Sequence, residues 1–231
     1  MWEADGTPHD IGVDASHESY AVAINNGGLV IGTAVNHTSD GSRLAAFVYD
    51  SHTGDVSHLP GGTAAQGIND ARDIVGRACL GTVCSAAMWT AGSQQLVPLS
   101  GLGGRQSTSA EDINNAGQIV GEGRGPFDRG VSLYWPSASQ PPVKTPLAEY
   151  SYLPAINDRG EVVGAGPHRA VLWDAATNEI TWLGPADELR YSGASDINEH
   201  SIAVGRADTG EPPIDSQAAP PAHAVVFGRP E

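Results

Sequence analysis

One short phrase recurs five times along the chain. It reads Ile24-Asn25-Asn26-Gly27-Gly28-Leu29-Val30-Ile31-Gly32 at its first appearance. It returns as Ile68-Asn69 to Gly76, Ile113-Asn114 to Gly121, Ile156-Asn157 to Gly164 and Ile197-Asn198 to Gly205. The steps between the isoleucines are 44, 45, 43 and 41 residues. A fixed period of this size marks a repeat architecture, in which each unit buries its apolar faces against its neighbours.

Each repeat carries four apolar segments of strand length. The first ends in Ile-Asn, as in Tyr20 to Asn25, and a tight turn follows with Gly at position 28, 117 or 160. Gly takes positive φ there without steric cost. The second strand is of the Glu161-Val162-Val163-Gly164 type. The third is Ala46 to Tyr49 and, in later repeats, Ala87 to Trp89, Ser132 to Trp135, Ala170 to Trp173 and Ala224 to Phe227. The fourth runs Val56 to Leu59, Leu96 to Leu99, Val143 to Leu147 and Ile180 to Leu183.

Four short strands per ~44 residues, with no helical period, predict the blade of a β-propeller. The fifth repeat stops after its third strand, and Trp2 to Gly12 resembles the segment Trp173 to Gly184. The N-terminal strand is therefore expected to join the C-terminal blade and close the ring, which removes exposed sheet edges. The expectation is a single all-β, five-bladed propeller over 1–231, with blades near 17–60, 61–100, 105–148, 149–184 and 190–231 plus 2–12.

The strongest form of the motif is Gly101-Leu102-Gly103-Gly104 through Gly121, and His223-Ala224-Val225-Val226-Phe227 forms a matching third strand. In these residues the chain resembles the HAF-repeat family of bacterial, mostly extracellular repeat proteins, over essentially its whole length. The resemblance implies a propeller-like fold and secretion. It lends no catalytic residues. The histidine that opens the family's third strand is replaced by Ala45, Ala86, Val131 and Arg169 in the other repeats, which argues against a catalytic role for it.

Formal net charge is −15, from 27 acidic and 12 basic residues. That balance repels phosphate backbones, so nucleic acid is excluded as an expected partner. No apolar run reaches the ~18 residues of a membrane helix, so no membrane insertion is expected. Cys79 and Cys84 fall in a hairpin loop, where a disulfide and two free thiols are both open, and no nearby His completes a zinc site. No metal or cofactor is expected. Met1 to Asp5 lacks the basic start and apolar stretch of a signal peptide. An extracellular place is favoured by the resemblance, with a cytoplasmic one open.

Repeats within one chain separate scaffold from site. Residues present in every blade serve the blade: the Ile, the Val pair, the Gly and the turn residues Asn25, Asn69, Asn114, Asn157 and Asn198. So do the hydroxyls Ser19, Thr63, Thr108, Ser151 and Ser192. The segments approaching each first strand differ sharply, and in a propeller these converge on one mouth of the channel, over a rigid scaffold. That mouth is expected to gather His17, Glu18, Tyr20, Arg105, Glu111, Glu149, Tyr150, Tyr152, Arg190 and Tyr191.

Tyr faces stack on flat ligands or sugar rings, and Arg and carboxylates hold hydroxyls or charged groups. The favoured reading is a binding module for carbohydrate or another small polar ligand at one asymmetric site. The alternative is a propeller enzyme of hydrolase, lyase or cyclase type, with His17, Tyr20, Glu111 and Glu149 as acid–base candidates. The further alternative is a protein-interaction scaffold. No nucleophile elbow, phosphate loop or metal-binding helix motif decides among them.

Overall fold

The structure, a computed structural model, describes residues 6–8, 10–13, 18–39, 41–81, 83–102, 107–124, 130–147, 152–184, 191–208 and 222–228. All regular structure among them is β-strand, arranged in five antiparallel sheets. The first holds β1 (Glu18–Ile24), β2 (Leu29–Thr38), β3 (Gly41–Asp50) and β4 (Val56–His58). The second holds β5 (Gly62–Ile68), β6 (Ile74–Leu80), β7 (Val83–Trp89) and β8 (Leu96–Pro98). The third holds β9 (Thr108–Ile113), β10 (Ile119–Arg124), β11 (Gly130–Trp135) and β12 (Val143–Lys144). The fourth holds β13 (Tyr152–Ile156), β14 (Glu161–Ala165), β15 (Ala170–Asp174) and β16 (Ile180–Trp182). The fifth holds β17 (Ser192–Ile197), β18 (Ala203–Asp208) and β19 (Ala222–Phe227). These are the blades of a propeller, with the first strand of each innermost.

In every blade the register of the two inner strands slips near their middle, between Ala21 and Ala23, Ala65 and Gly67, Val120 and Gly121, Tyr152 and Ala155, and Ala194 and Asp196. Such a bulge re-aims side chains and bends the strand. It also drives the backbones together. A Cβ on Gly32, Gly76, Gly121, Gly164 or Gly205 would overlap the carbonyl oxygen of Tyr20, Ala64, Ser109, Tyr152 or Gly193 respectively. The glycine of the repeated phrase is there for this close approach. The turn before it demands positive φ: Gly28, Gly117 and Gly160 sit at 74°, 76° and 76°, and Arg72 and Ser201 are held at 69° and 59° in the same place.

Side chains of neighbouring blades interlock between sheets. Leu29, Ile31 and Val48 of the first blade pack with Leu59 against Ala65, Ile74 and Trp89 of the second. The same pattern joins Val75 and Leu99 to Ile119 and Trp135, and Leu172 and Leu183 to Ala194 and Phe227. Burial of such side chains stabilises by about 1.5–3 kcal/mol each.

The turn asparagines do more than cap their own turns. Each Oδ1 accepts the amide four residues on, from Leu29, Asp73, Gln118, Glu161 or Ile202. The amide nitrogen donates to the carbonyl of the next blade's asparagine: Asn25 to Asn69 (3.0 Å), Asn69 to Asn114 (3.2 Å), Asn114 to Asn157 (2.9 Å) and Asn157 to Asn198 (3.1 Å). A second, exposed row follows it. Asp70 accepts from Asn26, Asn115 accepts from Asp70, Asp158 accepts from Asn115, and Glu199 accepts from Asp158. At the other end, Thr108 Oγ1 and Ser192 Oγ accept the amides of Ala86 and Ala170 in the preceding blade, both at 2.9 Å.

The link between the fifth and first blades differs from the other four. Leu29, Ile31 and Val48 are 8%, 0% and 7% exposed, whereas their counterparts Ile202, Val204 and Val226 are 42%, 44% and 69% exposed. Val22 and Ile24 of β1 are exposed too. Ile11 and Val13 pack on the first blade with Val30, Phe47, Tyr49 and Val56. The fifth sheet has three strands, and the segment expected as its fourth, 2–12, falls partly on residues outside the described set. Ring closure by the N-terminal strand is therefore not confirmed. Cys79 and Cys84 face each other across the β6–β7 hairpin and form a disulfide.

The asparagine row sets a graded expectation. Asn114→Ala removes a buried bond to Asn157 and part-buried bonds to Gln118 and Ala116 and is expected to cost about 2–4 kcal/mol, with several orphaned partners at about 1 kcal/mol or more each. Asn198→Ala, at the exposed end of the row, is expected to cost under about 1 kcal/mol. Urea unfolding of both variants measures the difference. Equal losses would mean that Asn198 is bonded across a closed seam.

Candidate functional site

The inner-strand bulge decides what lines the channel. Two residues before each repeated Ile stand Val22, Gln66, Glu111, Pro154 and Ser195. No two are alike, although the Ile two residues on is the same in all five repeats. The bulge turns Gln66 and Glu111 toward each other across adjacent inner strands. Gln66 Nε2 donates to Glu111 Oε2 at 3.4 Å, and the Tyr152 hydroxyl donates to the same oxygen at 3.4 Å from the other side. Ser109 also hydrogen-bonds the Glu111 carboxylate. One carboxylate thus ties together the inner strands β5, β9 and β13.

Glu111 is half-buried, and burial is the main reason its carboxyl lies above the usual carboxylate range, with the nearby Glu122 charge adding to it. Tyr152 is pushed up to about 12 by burial first and then by the Glu111 charge. Both groups therefore hold their protons more firmly than they would in water.

Beside this cluster lies an open cleft of ≈ 450 Å³, lined by Arg77, Ser107, Thr108, Ser109, Glu122 and Arg124. Arg77 and Glu122 occupy the same position of successive repeats, nine residues after the Ile, so neighbouring blades present opposite charges at one height. Arg77 Nη2 donates to Ser107 Oγ at 2.9 Å.

Asp112, next to Glu111, has a different task. Its two carboxylate oxygens accept the amides of Ile113 (2.8 Å) and Ile156 (2.9 Å), so it joins the third blade to the fourth. Gly67 makes room for it, since a Cβ there would lie 2.7 Å from Asp112 Cα. Burial pushes the Asp112 carboxyl up to about 7, against the opposing pull of the two amides.

Of the ten residues expected at the mouth, the structure brings Glu111 and Tyr152 together. The Tyr20 hydroxyl donates to Glu18 Oε2 at 2.9 Å on the exposed first blade, away from Glu111. Tyr191 lies under the Arg206 guanidinium, 5.7 Å from its ring centre. His17, Arg105, Glu149, Tyr150 and Arg190 lie outside the described residues. Gln66, Arg77, Ser107, Ser109 and Glu122 are additions. Their signal was present in the repeat: Gln66 lies 45 residues before Glu111, one repeat step away. Among the described residues, no group of three or more His, Cys, Asp or Glu side chains is placed to hold a metal ion.

Five radial antiparallel sheets around a channel, with an uneven polar mouth, define a β-propeller. The chain belongs to the family described as "Protein of unknown function (DUF3466)", whose model matches residues 10–130. Among solved structures it is similar to the β-propeller domain of the Trilobed protease from Pyrococcus furiosus, described as having an open velcro topology. The TM-score is 0.61 and identity 10%, over 92% of this chain and 69% of that one. It is also similar to TolB from Acinetobacter baumannii, with a TM-score of 0.56 and 11% identity, over 90% of this chain and 56% of that one. At these identities the likeness is one of fold alone, and the chain spans just over half the length of the TolB chain. No curated protein sequence matches it.

Asp112 generates a pH prediction. Its folded pKa, about 7, lies above the ordinary 3.8, so the folded state binds the proton more tightly than the unfolded one. Its contribution to stability is full below pH ~4 and is lost as pH rises toward 7. Comparing urea midpoints at pH 5 and pH 8, the wild type is expected to lose more stability on going to pH 8 than Asp112→Asn does. Parallel pH profiles would show that Asp112 ionises normally.

Proposed function

We propose that this propeller is a binding module that holds one small, polyhydroxylated ligand, a carbohydrate, at an asymmetric site on the channel mouth centred on Glu111. The observation that carries this is the Glu111 carboxylate itself. It is half-buried, at an inner-strand position that differs in every repeat, and its neighbours Gln66, Ser109 and Tyr152 are all hydroxyl- or amide-bearing. A lectin with one site per blade would repeat such residues. This chain has Val22, Pro154 and Ser195 in the equivalent places, so a single site is expected. Tyr152 is about half exposed and offers a ring face for stacking on a sugar, while carboxylate and amide groups suit sugar hydroxyls.

An acid–base enzyme at the same mouth is the second reading. The raised pKa of Glu111, with Glu122 close enough to contribute to it, favours a group able to deliver a proton. The extracellular location suggested by the HAF-repeat resemblance belongs to the proposal as well, and the Cys79–Cys84 disulfide supports an oxidising compartment. Closure of the ring by the N-terminal strand is part of the proposal too, and it is supported by the packing of Ile11 on the first blade, since a closing strand would set Ile11 where Leu59 and Leu99 stand between other blades.

The test is a glycan array followed by titration calorimetry on the best hit, with wild type, Glu111→Gln and Tyr152→Phe. Losing a hydrogen bond to a charged group is worth about 1.5–3 kcal/mol, so Glu111→Gln is expected to weaken binding roughly 10- to 100-fold. Tyr152→Phe is expected to weaken it by up to about 10-fold. Unchanged affinity in both would remove the site from this part of the mouth. Turnover of the bound glycan that Glu111→Gln abolishes, with affinity retained, would select the enzyme.

A further inference from the structure

We infer that the ligand of this site carries a carboxylate, as an acidic sugar does, and that Arg77 is the residue that selects for it. The inference rests on the binding site proposed above and narrows its ligand class.

Arginine is scarce in charge terms here: 27 acidic residues face 12 basic ones. On such a chain a guanidinium beside a cleft ordinarily meets a carboxylate. Arg77 makes no ion pair among the described residues. Its hydrogen bond is to the neutral Ser107 hydroxyl, and its Nε is buried without a hydrogen-bond partner. The protein satisfies Nη2 through Ser107 and leaves the buried Nε unmet, at a cost typical of a buried unsatisfied group, so the guanidinium is not neutralised by a carboxylate of its own among the described residues. Thr145 Oγ1 and Arg169 Nε are also unpartnered, and neither lines this cleft.

The cleft supplies what an anionic sugar needs. Its Arg77 end offers a planar donor fork matched to a carboxylate, with Ser107 beside it. Its other end carries Ser109 and Glu122, and Glu122 interacts electrostatically with Glu111 and Tyr152, which places it on the side of the hydroxyl-binding cluster. A carboxylate accepts hydrogen bonds only, so Glu122 and Glu111 favour O–H donors and repel an anion. The two ends therefore orient the ligand, acid group at Arg77 and hydroxyls toward Glu111.

The experiment compares D-glucuronate and D-galacturonate oligosaccharides with their methyl esters and with the neutral glucose and galactose counterparts, by calorimetry on the whole chain. Wild type is expected to bind an acid at least about 10-fold more tightly than its ester, since a charge-assisted pair is worth about 1.5–3 kcal/mol. Arg77→Gln is expected to erase that preference, so that acid and ester bind alike, and Arg77→Lys to restore part of it. The ester comparison needs no variant, so it stands even if Arg77→Gln does not fold. Equal affinity for acid and ester, or a preference that survives Arg77→Gln, would overturn the role of Arg77 and leave the sugar site standing. Absence of binding by acids, esters and neutral sugars alike at millimolar concentration would overturn both.

Discussion

The asparagine at the end of each innermost strand is the constraint on which the rest of the molecule depends. Its oxygen closes its own turn and its nitrogen holds the carbonyl of the next blade's asparagine. Because one side chain fixes both the local turn and the contact with the neighbour, the same link recurs at each of the four steps from the first blade to the fifth. A substitution by any residue without both a donor and an acceptor breaks the turn and the link together, so the row acts as one hydrogen-bonded network. This explains why the Asn, the following tight turn and the Gly at the close approach travel as one phrase.

Fixing one end of the blades frees the other. At the turn end, side chains are alike because each must satisfy the same bonds. At the mouth end, the scaffold asks only for a hydroxyl such as Thr108 or Ser192 to cap the previous blade's amide. The bulge between those ends projects one residue per blade toward the channel without a pairing duty. Selection for ligand contact can act there at little cost to the fold, which is why Gln66, Glu111 and Ser195 differ where Ile68, Ile113 and Ile197 do not. Asp112 shows the limit of that freedom: one residue further on, its carboxylate serves the joint with Ile156.

Most of the architecture was legible because periodicity is a property of sequence. A fixed step and alternating apolar strands leave few other ways to bury the faces. The site was less legible because the repeated Gly marks the close approach at the bulge without marking which side chains the bulge brings together, here Gln66, Glu111 and Tyr152. The approach segment of the second blade reads as plain, and that concealed Gln66 and Arg77, whose roles come from their neighbours rather than from their own segment. The wider role of the asparagines was also hidden, since an Asx turn accounts for the residue without reference to the next blade.

The seam between the first and last blades follows from the same logic. Each inner blade has two apolar faces and two neighbours; the first and fifth have one neighbour each by chain order. Ile202, Val204 and Val226 stand where Leu29, Ile31 and Val48 are covered, so the fifth blade keeps its face in water unless the first blade meets it. Ile11 and Val13 already cover part of the first blade's facing side, which supplies the position of an outer-strand Leu without the blade behind it. The row of asparagine bonds runs from Asn25 to Asn198 and ends there, so among the described residues no link of that kind holds the fifth blade to the first.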